Sequence, residues 1–528
     1  MSLVKKFATV GGATLASRLL GFGREALMAA VLGAGPVADA FYAAFRFPNL
    51  FRRLFAEGAF NAAFVPLFSK EIEANGIAGA KKFSEEVMGV LFSILLALTI
   101  LMELSMPFLV RTIIAPGFTS DPQKFEMTRA MALIMFPYLM CMSLTAMMSG
   151  ILNSLHRYFA AAIAPVFLNV ILIGVLAMAL WRGSDPYFAG TMMAWGVLAA
   201  GILQLLIVVI SVRLAGIHLE FRKPVMTPSV KRLLVLAAPA AIAGGITQIN
   251  LVIGQMIASG KAGAISVLQY ADRVYQLPLG VVGIAVGVVL LPELARALKS
   301  GHNVEAGNIQ NRSVEFALFL TLPAAAALFV MSEPIVRVLY ERGAFSAQTT
   351  SAVAGTLAIF GLGLPAFVLI KCFTPGFFAR EDTKTPMRYA GVSAAVNLSL
   401  ALSLFPLIAE RGIATAEVAA GWANAGLLFA TLMRREHWSV DPGLKKRVPR
   451  LVLSAALMGA ALYFAVGWLS PFLAPEKSFF TQALVLLALI LISAIIYFGV
   501  AFGIGGADRA MIRRNVERSK DAPPVMPL

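Results

Sequence analysis

Charge is what this sequence has least of. Asp, Glu, Lys and Arg make up 14% of its 528 residues, where a water-soluble globular chain carries roughly a quarter. A chain of this length with so few charges cannot cover a water-facing surface, which excludes a large soluble protein. Cysteine is scarcer still. Cys141 and Cys372 both sit in apolar runs, so neither a disulfide framework nor a thiolate metal site is expected. The four histidines (His156, His218, His302, His437) fall in loops or at the ends of apolar runs, with no metal-ligand spacing. No GxxxxGK[ST] run is present, so ATP hydrolysis is not expected. No paired carboxylates on one face suggest metal-dependent phosphotransfer. The chain does not read as an enzyme, and no cofactor or metal is expected.

What is abundant is apolar sequence: 59% of residues are hydrophobic and the mean hydropathy is +0.81. Blocks such as 87–101, 163–180 and 484–500 approach or reach the ~20 residues that cross a bilayer as a helix. Turn signals and charged clusters divide the chain into about fourteen spans. These are 7–33, 37–68, 86–110, 127–152, 158–181, 188–212, 232–258, 263–294, 313–338, 350–373, 386–408, 412–433, 449–470 and 480–504. The first follows Lys5 and Lys6 but has no clean cleavage site, so it reads as a retained span rather than a signal peptide. The fold class is all-α and polytopic.

Basic residues test that division. Of the 44 Lys and Arg, 28 fall in loops on the side of the termini, 9 on the opposite side and 7 inside spans. Cytoplasmic loops carry the basic excess, so both termini are expected in the cytoplasm. The net charge of +16 is then a topology signal and a contact for anionic lipid head groups, not a mark of nucleic-acid binding.

The chain also repeats weakly at an offset of about 228 residues. Phe47-Pro48 answers Leu277-Pro278, and Pro66 answers Pro292. Gly117-Phe118 answers Gly343-Ala344-Phe345, while Gly150 and Asn169 answer Gly376 and Asn397. Six spans separate equivalents, so the halves are parallel, and transporters built this way hold substrate between the halves near mid-membrane. The expected domains are a first lobe over 1–220, a second over 221–440, a helix pair over 441–506 and a basic tail over 507–528.

Charges inside spans are the exceptions that need a reason. The first span holds Arg18, Arg24 and Glu25. The second holds Asp39, Arg46, Arg52, Arg53 and Glu57. The eighth holds Asp272 and Arg273, and the tenth Lys371. Each such charge costs roughly 2.5–3.5 kcal/mol at the bilayer centre. Six arginines facing lipid would cost on the order of 15–20 kcal/mol, above a typical domain's whole stability of about 5–15 kcal/mol. Asp39, Arg46 and Arg53 are spaced by seven, and Glu57 follows Arg53 by one turn, so the charges share a stripe that could line a watery cavity. Two readings stay open here. The residues could be structural, as snorkelling ends or internal ion pairs, or they could bind an anion. Basic residues outnumber the acids, and the planar fork of Arg suits phosphate. Pro48 and Pro278 interrupt corresponding spans, a pattern that points to a binding site in two-repeat transporters.

With these motifs in view, the sequence resembles the MurJ (MviN) family, the lipid II flippases of the multidrug/oligosaccharidyl-lipid/polysaccharide exporter superfamily. The residues that carry the resemblance are Ser17 through Arg24, Ala38-Asp39-Ala40-Phe41 and the run from Phe47-Pro48-Asn49-Leu50-Phe51-Arg52-Arg53 to Glu57-Gly58-Ala59-Phe60. Ala115-Pro116-Gly117-Phe118, Tyr270-Ala271-Asp272-Arg273 and Ala379 through Pro386 add to it.

The resemblance implies two six-helix lobes around a central cationic cavity, with a C-terminal helix pair forming a groove for a lipid tail. It implies alternating-access transfer of undecaprenyl-diphosphate-linked disaccharide-pentapeptide to the outer leaflet of the bacterial inner membrane, for peptidoglycan synthesis. Substrate-binding roles fall on Arg18, Arg24, Arg52, Arg53 and Arg273. Cavity or gating roles fall on Glu25, Asp39, Arg46, Pro48, Glu57, Asp272, Gln276 and Pro278. Gln276 stands where some relatives carry Glu, and Glu25 where Asp is familiar. Lipid II, membrane lipids and the cell-wall machinery are the implied partners. Apart from the resemblance, and with no ATP site, membrane potential or an ion gradient could supply the energy, and the sequence does not choose between them. The alternative is an exporter of another lipid-linked oligosaccharide, or a drug/cation antiporter.

Overall fold

The computed structural model describes residues 3–52 and 60–507. Arg53, Glu57 and the tail beyond Ala507, on which several expectations fall, lie outside the described residues. All regular elements among those described are helices: α1 (Leu3–Leu32), α2 (Pro36–Arg52), α3 (Phe60–Leu104), α4 (Met106–Leu109), α5 (Pro122–Met135), α6 (Tyr138–Ser154), α7 (Tyr158–Arg182), α8 (Pro186–Leu214) and α9 (Pro228–Ala258). After these come α10 (Ala264–Lys299), α11 (Asn303–Val330), α12 (Ser332–Tyr340), α13 (Ala347–Phe378), α14 (Lys384–Ile408), α15 (Glu410–Arg434), α16 (Pro442–Leu469) and α17 (Phe479–Gly503).

Helix starts follow short-range chemistry. Asp121, Asp185, Thr227, Ser346, Asp441 and Ser478 each cap the next helix by accepting a backbone N–H in its first turn, which satisfies donors the helix itself cannot. Ten helical stretches among the described residues are long and apolar enough to cross a membrane, and this is a multi-pass membrane protein. The ten leave out α1, α2, α9 and α10, which lie where four of the fourteen spans are expected. Three of those four, α1, α2 and α10, are the helices with the clustered internal charges.

One boundary differs from expectation. Residues 69–85 read as a basic loop, yet α3 continues through them as two helices joined at Gly76, whose φ of 66° bends the chain. Glycine takes that left-handed geometry without the Cβ clash that other residues meet.

The chain packs as two compact units. The first comprises residues 1–266 with 342–345, the second 267–341 with the chain from 346 onward. In the first, α1 packs along α7, α7 on α8, α6 on α3 and α8, and α2 on α5. α9 also belongs here. Its Val230 and Leu233 join Phe64, Phe68, Phe83, Val87, Met147, Ile151 and Val208 in one buried cluster. The connection before α9 is strapped to α3 by polar contacts. Buried Glu85 accepts the Glu220 N–H at 3.0 Å and Arg222 Nε at 2.6 Å, and Glu86 accepts the Thr227 hydroxyl at 2.9 Å.

In the second unit α11 and α15 flank α13, and α14 packs on α15. The appended pair docks on α11: α16 packs along it, and the Tyr497 hydroxyl of α17 donates to the Phe319 carbonyl at 2.9 Å. Arg447 of α16 also pairs with Glu315 of α11, whose side chain is 4% exposed. Removing one partner leaves a buried charge uncompensated. Arg447→Met is therefore expected to destabilise this docking by about 3–5 kcal/mol, and Arg447→Met with Glu315→Leu to recover most of it. Thermal unfolding of the two variants checks the order. Equal losses would remove the ion pair as the cause.

Candidate functional site

In the first unit the site is built on α1 and α2. Asn169 of α7 donates to the Ser17 carbonyl at 3.0 Å, which holds α1 where Arg18 projects. Arg18 is exposed and has no hydrogen-bond or ion-pair partner among the described residues. Two turns on, Arg24 is mostly enclosed and pairs with Glu25 at 2.5 Å. The other oxygen of Glu25 accepts the Tyr42 hydroxyl at 2.5 Å. On α2, Arg46 and Arg52 are half-buried, Arg52 Nε donates to Asn49 at 2.8 Å, and Pro48 is buried.

Asp39, in the first turn of α2, is fully buried and saturated. It accepts Lys124 Nζ at 2.7 Å, the Gly263 N–H at 2.6 Å, the Ser266 N–H at 2.9 Å and the Ser266 hydroxyl at 2.8 Å. The Gly263 and Ser266 donors sit at the start of α10, where the helix dipole favours an anion. Lys124 is also buried, with its ammonium 3.9 Å from the centre of the Phe118 ring. A saturated carboxylate of this kind holds helix ends together. It has no free lone pair to offer a substrate.

Two turns of equivalent position in the repeat lie beside this cluster. The Gly117 N–H donates to Ser259 Oγ at 2.9 Å, at the C-terminal end of α9. The Ala344 N–H donates to the Ala30 carbonyl at 2.8 Å, near the C-terminal end of α1. Each turn thus docks on the helix that begins the other of the two expected repeats, and all of these residues belong to the first unit.

In the second unit α10 carries Asp272 and Arg273, both half-buried, with Pro278 inside the helix and Gln276 exposed one turn after Asp272. Gln276 donates to Asp272. Arg273, like Arg18, has no partner among the described residues. Arg18 and Arg273 therefore keep all their donors for a ligand, whereas Arg24 is partly committed to Glu25.

Loop chemistry at the ends of α13–α15 adds no competing site. Asp382 is held down at about 2 by the Thr385 hydroxyl and N–H and by Arg435, so it stays ionised near neutrality and caps α14. Burial, then Arg380 and Arg435, push His437 below its usual range, so it carries no charge near pH 7. Among the described residues no group of His, Cys, Asp or Glu is placed to hold a metal ion.

Residues 28–496 match the family described as lipid II flippase MurJ. The chain belongs to that family. The probable lipid II flippase MurJ of Rhizobium meliloti (strain 1021) is 68% identical over 525 residues, covering 99% of this chain and 98% of the relative. The lipid II flippase MurJ of Burkholderia cenocepacia is 34% identical over 526 residues, covering 98% and 100%. A solved structure of lipid II flippase MurJ in an inward closed conformation superposes with a TM-score of 0.76 at 25% identity, over 96% of this chain and 99% of that one. An inward-facing multidrug-resistance MATE transporter of the MOP superfamily shares the fold, at a TM-score of 0.66 and 14% identity over 81% of this chain and 96% of that one.

Several members of these networks are not singled out by the sequence. Lys124 reads as a loop lysine, since nothing local announces that Phe118 and Asp39 enclose it. Tyr42 and Ser266 carry no charge and so no signal. Glu315 did have one: it lies inside the expected span 313–338, where a carboxylate is costly without a partner.

Proposed function

We propose that this chain moves lipid II, a diphosphate-linked polyprenyl glycopeptide, from the cytoplasmic to the outer leaflet of the bacterial inner membrane for peptidoglycan synthesis. Arg18 and Arg273, two arginines inside the membrane domain with no acceptor among the described residues, carry the reading. An uncompensated guanidinium in a span is costly unless water or a ligand meets it, and a diphosphate offers oxygens in the geometry its fork takes. Arg24 and Arg52 add charge with part of their donors already engaged, and Arg53 is proposed in the same role. The acids Glu25 and Asp39 orient and anchor rather than bind, and Arg46, Glu57 and Asp272 tune the local charge.

In this reading the chain is a carrier and not an enzyme. It works by alternating access, with Pro48 and Pro278 allowing their helices to bend. Both termini face the cytoplasm, as the basic excess in their loops favours. No ATP is used. The membrane potential, worth about 2.3 kcal/mol per charge per 100 mV, is the proposed drive. The polyprenyl tail stays with membrane lipid and the helix pair α16–α17, and the cell-wall synthesis machinery receives the product. Depleting the protein is expected to remove lipid II from the outer leaflet while total lipid II rises. Normal outer-leaflet exposure after depletion would overturn the reading.

A further inference from the structure

We propose that Tyr42 is a positioning residue for Arg24, acting through Glu25 to keep the guanidinium open to a diphosphate. This rests on the transport reading above, and adds to it a neutral residue that no charge pattern reveals.

Glu25 is 1% exposed, and its two oxygens are taken separately: Oε1 by Arg24 at 2.5 Å, Oε2 by the Tyr42 hydroxyl at 2.5 Å. A carboxylate with both oxygens available pairs with arginine two-by-two, the fork-to-fork arrangement. That would consume two guanidinium N–H groups and bring the charges into closest opposition. With Oε2 occupied by the phenol, Glu25 takes one donor from Arg24. The Arg24 Nε–H is buried and has no acceptor among the described residues. A buried donor without an acceptor costs about 1–3 kcal/mol, and a phosphate oxygen would satisfy it.

Tyr42 is itself well held. It is 6% exposed, its hydroxyl lies 3.7 Å from Met28 Sδ on α1, and its ring meets Phe41 edge-on at 6.0 Å. Asp39, three residues earlier and on the same side of α2, is fastened to Lys124 and to the Gly263 and Ser266 N–H groups. That anchor sets where α2 lies, α2 sets the phenol, and the phenol sets the Glu25 carboxylate. Were Tyr42 only filling space, phenylalanine would serve equally.

The test is a double-mutant cycle on the full-length protein in nanodiscs, titrated with lipid II and, separately, with undecaprenyl diphosphate. Tyr42→Phe is expected to weaken binding of both lipids by about three- to tenfold, less than the roughly 10- to 100-fold of a hydrogen bond lost directly to a charged group, because its effect reaches the ligand only through Arg24. In a Glu25→Gln background the same substitution is expected to change affinity by less than about twofold, because its effect runs through the carboxylate. Thermal unfolding of each variant, measured alongside, separates lost packing from lost positioning. Unchanged affinity in Tyr42→Phe, or an equal loss in both backgrounds, would overturn the role of Tyr42 while leaving transport standing. A wild-type protein that binds neither lipid would overturn the transport reading and this role with it.

Discussion

A chain carrying Arg18→Ala and Arg273→Ala is expected to reach the membrane at wild-type levels and fail to support growth when it is the sole copy. A hydrogen bond to a charged group contributes about 1.5–3 kcal/mol, so each arginine lost should cost roughly 10- to 100-fold in affinity for a diphosphate. Neither guanidinium has a protein partner among the described residues, so removing it strands no carboxylate and leaves folding intact. That distinguishes the pair from Arg24, whose removal leaves buried Glu25 without its cation. Arg18→Lys and Arg273→Lys should recover only part of the activity, because an ammonium keeps the charge but not the planar fork. Growth assays with membrane levels checked by immunoblot decide it. Full complementation by the double alanine variant would remove both arginines from the binding role.

Gly343→Val is expected to destabilise this protein more than a valine at a turn glycine that meets only one of the same two constraints. A Cβ at Gly343 would lie 2.3 Å from the Ala30 carbonyl oxygen, and the residue has a φ of +58°. A β-branched residue there meets both backbone strain of about 1–3 kcal/mol and an overpacking cost of about 1–3 kcal/mol. The turn must then leave α1, breaking the Ala344 to Ala30 hydrogen bond. Gly117→Val meets the second cost alone: its Cβ would fall 2.3 Å from the Ser259 carbonyl oxygen, with no left-handed φ. Gly183→Val meets the first alone, with a φ of +60° and nothing within 4 Å. Thermal unfolding of the purified variants should therefore rank Gly343→Val lowest, with the other two between it and the wild type. A Gly343→Val protein as stable as Gly183→Val would show that the close approach to Ala30 carries no weight.

Much of this architecture could be read from residues in order. Helix starts at Asp121, Asp185, Ser346, Asp441 and Ser478 are set by capping chemistry, which acts over three residues, although the expected spans rest on hydropathy and charge rather than on these caps. Cost also betrays position: a charge such as Arg18, Arg24 or Asp272 in an apolar run demands an explanation wherever the helix packs. The glycine turns at Gly117 and Gly343 were legible as equivalents in a repeat, although nothing along the chain says that each docks on the first helix of the other half.

Other features have no local signature. Residues 69–85 look like a loop because they are polar, yet the backbone stays helical on both sides of Gly76, where the chain turns so that Phe64 stacks on Phe83, since polarity reports solvent and not backbone geometry. Asp39 reads as one member of a charged stripe, and its saturation by Lys124, Gly263 and Ser266 depends on segments 85 to 227 residues away. By itself the sequence determined that the chain spans a membrane many times as helices, and which helices hold charge, because hydropathy and Coulombic cost are properties of residues in order. Only the tertiary structure decided which of those charges are spent on one another and which remain open, because ion pairs and hydrogen bonds are settled by distances of a few ångströms between segments far apart in the chain.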